Sequence, residues 1–517
     1  YSQIDAENGL IVNTWDQLSI SSIVPEGATT VQIGALYHQI SQNDHGSVYI
    51  DEFEMSASIE LNYGTIGNVV TFGNGESRDA LLENFTITNG YASGGWPENQ
   101  GGGIVMYNGS SPTLRNLNII NNFADAHGGG ISAQDDCEPL ILFCTIENNV
   151  ANNEGGGAFF FNNCHATLRN VTILSNSASR GGALYSSHSN ITIESSIVKY
   201  NNAYDHCAGL YIDNSHPLTL FSTEIESNYG DALFLNHGSD HRIHGINIYG
   251  NNGTGLEAHY PNNFLLSNSQ ITLNEQGVSL HGTNPVISNT RMVRNYGYGL
   301  SLSNRARPTI VNTTIAYNQL NNISDHQVEM VNNCNPEFIN SIIWGESPLS
   351  GIRSMNDYGL PSQIRLSYSI IREGVFEGFF DGDIQINDGM IYFDPMFENA
   401  NNGDFTLSSG SPANDSGNPG MMFNDLDNSP NDIGFEGGRG ILVFARGRNP
   451  NTWVDYTNNS YQTTQFDPLY MGFVGVNRSN RDFEIHFVNS SNSEITLNEW
   501  QTTDDQFHVN TYLSDYN

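Results

Sequence analysis

The stretches LRNLNIINNFADAHGGGI (residues 114–131) and ILFCTIENNVANNEGGGA (residues 141–158) decide the fold. Both run apolar, four residues, apolar, two residues, Asn, and then reach a Gly-rich turn with an apolar residue after it. The same spacing recurs as the triplets Leu114/Ile119/Asn122, Ile141/Ile146/Asn149, Leu168/Ile173/Asn176, Ile193/Val198/Asn201 and Leu220/Ile225/Asn228. It continues as Ile243/Ile248/Asn251, Leu266/Ile271/Asn274, Ile287/Met292/Asn295 and Ile310/Ile315/Asn318. The leading residues step by 27, 27, 25, 27, 23, 23, 21 and 23. A unit this short cannot bury its own apolar face, so it must stack on copies of itself.

Each unit contains a second short strand after its Gly-rich turn, as in Gly128-Gly-Gly-Ile131 and Gly155-Gly-Gly-Ala158. A residue without a bulky side chain permits the tight bend there. Strand alternation sends Ile131, Ala158, Leu184, Leu210, Leu233, Leu256, Val278 and Leu300 inward, together with Phe160, Ile212, Leu235, Leu280 and Leu302. The aligned Asn residues suit the other bend: Asn tolerates the left-handed region, and stacked amides can form a ladder along the axis. All nine, from Asn122 to Asn318, therefore read as structural rather than functional.

The repeat divides the chain. Residues 1–80 lack it and read as a cap for the open solenoid end. Residues 81–395 form the solenoid, with Leu82–Asn89 as a first degenerate rung and Phe338/Ile343 and Leu366/Ile371 among the last. Residues 396–449 are rich in Gly, Asn, Asp and Pro and read as an end-piece or linker. From about 450 a separate β domain starts, with period-2 strands such as Phe483-Glu-Ile-His-Phe.

The GG[GA][IAL] turns and IxxN ends resemble the right-handed parallel β-helix repeats of the pectate-lyase-like superfamily, in the style of the polymorphic outer-membrane proteins. SPANDSGN (residues 411–418) with NDIGFEGG (residues 431–438) resembles the end-piece common in secreted β-helix proteins. FDPLYMGFVGVNRSNRDFEIHFVNSS (residues 466–491) is similar to the start of an Ig-like domain of the ASPM/SPD-2/Hydin type. These resemblances imply an all-β chain: a right-handed parallel β-helix with a C-terminal Ig-like β-sandwich segment, incomplete at Asn517. They also imply the N-terminal part of a large secreted bacterial adhesin, and they specify fold better than function.

Composition narrows the partners. Asp and Glu total 55 and Lys and Arg only 18, so the formal charge is −37, and Lys199 is the only lysine. Charged residues make up 14% of the chain, against about 25% typically. Such a neutral-polar, acidic surface excludes nucleic acid and anionic membrane surfaces as good partners. No stretch approaches the ~20 apolar residues of a membrane span, so direct membrane insertion is not expected. The start at Tyr1 fits a processed chain or an excised piece. Cys137 and Cys164 lie four residues before Ile141 and Leu168, hence one rung apart; at ~4.8 Å they suit a disulfide, or alternatively a stacked pair of free thiols. A bridge would imply an oxidising, extracellular location.

Among residues that could carry chemistry, the outward column Phe159, Tyr185, Tyr211 and Phe234 stands in register on four rungs. Exposed, it would be a platform for sugar rings or a docking strip; the alternative is a strip covered by the chain itself. Asp213, Glu257, His259 and His281 lie further along the same face and could form an acid/base or metal cluster. His237, Asp240, His241, Arg242 and His244 crowd together without a recognised ligand spacing. Ca²⁺ is the cofactor that the acidic segments Asp425-Leu-Asp427 and Asp432 would suit, although no Ca²⁺ nonapeptide repeat is present. Polygalacturonase-like motifs are missing as a set: Asp135-Asp136 stands alone, and Arg-Ile-Lys is impossible with Lys199 as the only lysine. The expected function is therefore a non-catalytic extracellular solenoid, a rigid spacer and contact surface of a cell-surface adhesin or appendage. Its partners would be copies of itself, other surface-protein domains, or glycans. The rivals are a polysaccharide lyase or hydrolase and a carbohydrate-binding module.

Overall fold

The structure, a computed structural model, describes residues 67–438 except 216, 261, 321–325, 346–350, 356–360, 373–381, 421–422 and 426–428. It also describes the strands Ile441–Arg446, Trp453–Asp455 and Glu484–Asn489. Most of the expected cap and most of the expected Ig-like segment lie outside the described residues.

Three long parallel sheets run along a solenoid. Among the described residues, the first has twelve strands, from Val70–Phe72 to Ile352–Met355. The second has thirteen, from Leu81–Glu83 to Gly382–Ile386, and the third twelve, from Thr86–Thr88 to Ile370–Ile371. Val70–Phe72 shows that the first rung begins inside the segment expected to be cap. Stacking at ~4.8 Å per rung makes the rod roughly 55–60 Å long. Register follows the repeat: Leu114, Ile141, Leu168 and Ile193 are in line on the second sheet, and Ile119, Ile146, Ile173 and Val198 on the third. All eight of these side chains are fully buried. The first sheet supplies the third wall of the core, with Ile131, Ala158, Leu184, Leu210, Leu233, Leu256, Val278 and Leu300 at 0% exposure.

The bend after the third sheet is built around a ladder of asparagines. Asn122, Asn149, Asn176, Asn201, Asn228, Asn251, Asn274, Asn295 and Asn318 are all buried, at 0–2% exposure. Each Nδ2 from Asn122 to Asn295 donates to Oδ1 of the next ladder Asn, and Asn318 donates to Oε1 of Gln327, all at 2.9–3.2 Å. Each ladder backbone N–H donates to the same oxygen at 2.9–3.1 Å. Each Nδ2 also reaches a carbonyl one rung back, from Ile87 to Met292, at 2.8–3.2 Å.

None of Asn122, Asn149, Asn176, Asn201, Asn228, Asn251, Asn274, Asn295 and Asn318 takes the left-handed backbone expected of it. That conformation lies one residue earlier, at Asn121, Asn148, Ser175, Tyr200, Ser227, Gly250, Leu273, Arg294 and Tyr317. The ladder Asn must aim its amide along the axis, so the preceding residue makes the turn.

The other bend does require glycine. Gly128 has φ +66°, and a Cβ there would come within 2.3 Å of the Ile131 carbonyl oxygen. Gly155 repeats the geometry one rung on.

Rung length changes along the rod. A fourth sheet, formed by Tyr91–Ala92, Phe123–Ala124, Val150–Ala151, Ser177–Arg180 and Asn202–His206, is confined among the described residues to the early rungs. Where the step falls to 23 residues or fewer, that strand is lost among the described residues.

The end-piece folds back along the third sheet. Ala400, Phe405, Ala413 and Ile433 pack against Val293, Ala316, Ile342, Trp344 and Ile370. Asn312 and Asn340 secure it: Asn312 Nδ2 donates to the Gly437 carbonyl at 3.1 Å, and the Asn340 carbonyl accepts from Gly434 N–H at 2.8 Å. Asp425 and Asp432, expected to suit Ca²⁺, accept backbone N–H groups of the end-piece itself; Asp427 lies outside the described residues. Ile441–Arg446, expected within the linker, pairs antiparallel with Trp453–Asp455 and with Glu484–Asn489. No helix among the described residues is long and apolar enough to cross a membrane.

The expected Cys137–Cys164 bridge is not formed in the structure, where all five cysteines are free and buried. Cys137 Sγ donates to the Gln134 carbonyl at 2.9 Å, and Cys164 Sγ to the Ala133 and Phe161 carbonyls at 3.2 Å. The two thiols also hydrogen-bond each other, and the pair fills the core. Burial pushes the Cys144 and Cys334 thiols up to about 11. A thiol reagent should therefore find almost no reactive cysteine in the native chain and five in the denatured, unreduced chain; three would mean one disulfide. Asn201→Ala should remove a fully used buried amide and destabilise the solenoid by roughly 2–4 kcal/mol, read from chemical denaturation.

Candidate functional site

The first sheet presents two outward columns. One passes through Ser132, Phe159, Tyr185, Tyr211, Phe234, Glu257 and Ser279 in unbroken register. The other passes through Phe161, Ser187, Asp213, Asn236, His259, His281 and Ser303.

The aromatic part of the first column is not an exposed platform. Phe159, Tyr185, Tyr211 and Phe234 are only 3–7% exposed and form a cluster with Cys207. The chain arriving at the first sheet lies over them. The His127 ring stacks on Phe159 at 4.5 Å, the Arg180 guanidinium sits 5.9 and 6.0 Å from the Tyr185 and Tyr211 centroids, and His206 meets Phe234 at 4.2 Å. Gln100, His127, Glu154, Arg180 and His206 each precede the first inward residue of their rung by four. They form a covering column that alternation within the strand does not reveal, but which this fixed offset would have shown.

Three members of that column, His127, Glu154 and Arg180, form an ion-pair chain. Glu154 is paired with Arg180 and lies 2.5 Å from His127 Nδ1. Burial pushes its carboxyl up, yet the hydrogen bond and charge of His127 and the charge of Arg180 outweigh this and hold it below the usual carboxylate range.

The four titratable candidates divide into two places. Asp213 belongs to a hydrogen-bonded knot: Asn236 Nδ2 and Asn214 Nδ2 donate to its Oδ1 at 2.8 and 3.0 Å, and the Tyr185 and Ser187 hydroxyls face its Oδ2 at 3.4 Å. Burial and the charge of Asp213 push the Tyr185 hydroxyl well above its ordinary value. Two rungs on, Glu257, His259 and His281 come together. His259 Nε2 is 2.6 Å and His281 Nε2 3.8 Å from Glu257 Oε1, and the imidazole centroids are 4.2 Å apart. Ser303 Oγ lies 2.5 Å from His281 Nδ1.

His206 and Asp231 join on the other side of Glu257, and sequence reading had missed them. Their ligand atoms and a Glu257 carboxylate oxygen lie within 4.8 Å of one another. Asp231 accepts the Thr254 N–H at 2.7 Å, while burial and the neighbouring Glu257 charge raise its carboxyl above the usual range. For Glu257, burial pushes up, but His259, His206 and His281 together hold it below the usual range. The face therefore offers carboxylates and imidazoles that can exchange protons, orient polar groups or hold a cation.

Other candidates are elsewhere. Lys199 lies on the third sheet beside Glu226. Asp240, His241, Arg242 and His244 belong to the second-sheet strand Ser239–His244. His241 is buried and its Nδ1 accepts the Leu218 N–H at 3.1 Å, and burial pulls His244 down to about 4.

Three walls of parallel strands around an aliphatic core and an amide ladder define a parallel β-solenoid. The chain belongs to the right-handed β-helix family, whose model, described as a right handed beta helix region, matches residues 33–204 and 195–360. A solved structure it resembles is the A-module of the mannuronan C-5 epimerase AlgE4 from Azotobacter vinelandii. The identity is 14%, the alignment covers 64% of this chain and 90% of that one, and the TM-score is 0.35. No curated protein matches the chain.

Because the Glu154 carboxyl is depressed in the fold, its stabilisation is present above the ordinary value and lost as pH falls through the folded value. Glu154→Gln should lose less Tm than the parent between about pH 5 and pH 3. Parallel acid-side losses in thermal melts would show that the pairing contributes nothing.

Proposed function

We propose that the chain is an extracellular β-solenoid that engages polysaccharide through the outward face of its first sheet. The observation that carries this reading is the gathering of half-buried Asp213, Glu257, His259 and His281 along one rigid face. Desolvating carboxylates and imidazoles costs stability, and a plain spacer has no use for them. The acidic surface favours neutral over polyanionic glycans. Asp213, pre-oriented by Asn214 and Asn236, suits recognition of sugar hydroxyls, and the Glu257–His259 pair suits proton transfer.

A second reading is favoured by the unbroken stack of twelve first-sheet strands. In it the solenoid is a rigid spacer of a cell-surface adhesin or appendage, in contact with copies of itself or with other surface-protein domains. The Ig-like segment and the bacterial, secreted context belong to this reading.

Incubating the full chain with a panel of neutral polysaccharides separates the two. New reducing ends that disappear in Glu257→Gln, by at least about 100-fold, support an enzyme. Saturable binding without turnover, weakened in Asp213→Asn, supports a recognition module. Neither turnover nor binding leaves the spacer reading and removes the first.

A further inference from the structure

We propose that Glu257, His259 and His281 form a binding site for one divalent transition-metal ion of the zinc class, with His206 and Asp231 flanking it. The proposal does not rest on the saccharide reading, since the site is argued from ligand chemistry alone.

The three residues offer one carboxylate oxygen and two imidazole nitrogens, all within 4.8 Å of one another. Their two edges to Glu257 Oε1, 2.6 and 3.8 Å, bracket the edge of about 3.3 Å expected of a tetrahedron with arms of ~2.0–2.1 Å. Small side-chain rotations would therefore bring all three onto one ion. The backbone under them is fixed: Glu257, Ser279, His259 and His281 sit on adjacent, in-register strands of the first sheet. A rigid strand platform holds a metal site more accurately than a loop does.

The surroundings are those a metal site needs. Ser303 Oγ at 2.5 Å occupies His281 Nδ1, so the other ring nitrogen is left to face Glu257. An outer partner of this kind fixes tautomer and ring orientation in metal-binding histidines. Ser279 Oγ lies 3.1 Å from His281 Nε2, where its hydroxyl holds the position that an ion would take over. With both imidazoles neutral, the trio carries one negative charge, and Asp231 adds a second, matching a divalent cation. Side-chain exposures of 31%, 18% and 29% for His259, Glu257 and His281 leave one side open, so a fourth position remains for water or a ligand. Two nitrogens and one oxygen select zinc-class ions over Ca²⁺ or Mg²⁺, which prefer all-oxygen shells.

The test is titration of the tag-free full chain, stripped with chelator, with Zn²⁺ alone. One ion per chain is expected, and excess Ca²⁺ should not displace it. His259→Ala and His281→Ala should each weaken binding by at least about 100-fold, and Ser303→Ala by about 10-fold. His165→Ala, on the second sheet, should bind as the parent does. Glu257→Gln keeps the side-chain shape and should also lose affinity; thermal melts show that each variant remains folded. Co²⁺ substitution should give a visible spectrum without a thiolate charge-transfer band, as an N/O shell requires. Absence of saturable uptake, displacement by Ca²⁺, or Zn²⁺ binding that survives the folded His259→Ala/His281→Ala double variant would overturn the proposal.

Discussion

The structure depends on how a closed coil satisfies backbone groups at its corners. Sheets pair their own N–H and C=O groups, but bends do not, and a bend buried against neighbouring rungs cannot turn to water. The ladder from Asn122 to Asn318 solves this for one corner, because each amide ties its rung to the rungs before and after it. The side-chain hydrogen bonds then run parallel to the sheet ladders, along the axis. Loss of one amide strands partners on two rungs at once, so the stack resists local opening at that corner.

On this frame the first sheet carries an unusual set of side chains. Its outward column changes from rings to a carboxylate between Phe234 and Glu257, and the neighbouring column changes from amide to imidazole between Asn236 and His259. The rings are sealed under His127, Arg180 and His206. His206 connects the two regions, since it touches Phe234 on one side and approaches Asp231 on the other.

The fold was legible because its signal repeats. An apolar pair and an Asn at fixed offsets name two walls and a corner of every rung, and the Gly-rich turn names the third wall. The backbone at that corner was less legible: the residue ahead of each of Asn149, Asn176, Asn228, Asn251 and Asn274 makes the turn, and these five are Asn, Ser, Ser, Gly and Leu, with no shared chemistry to mark them. Where the repeat departs from Asn, legibility also fails: Gln327 accepts from Asn318 in place of an Asn and carries no marker in the repeat. The site was legible only in part. Alternation within a strand places Glu257, His259 and His281 on one face, but does not say what lies over that face. Covering of the aromatic column is decided by a different segment, four residues before each strand, whose side chains again differ from rung to rung. Likewise the apolar outward residues Val293, Ala316 and Trp344 make sense only once the end-piece is seen against them.

The loss of the fourth sheet has a geometric consequence. Among the described residues, the turns up to Asn202–His206 have a fourth side and the turns with steps of 23 residues or fewer have three, so the rod narrows by a shelf whose last course is Asn202–His206. The rings lie beneath the shelf and the histidines lie just past its edge. Opening or closing this recess therefore needs no change in the groups that line it. A rung longer or shorter by about four residues would move the edge by one course, and so choose which side chains meet solvent.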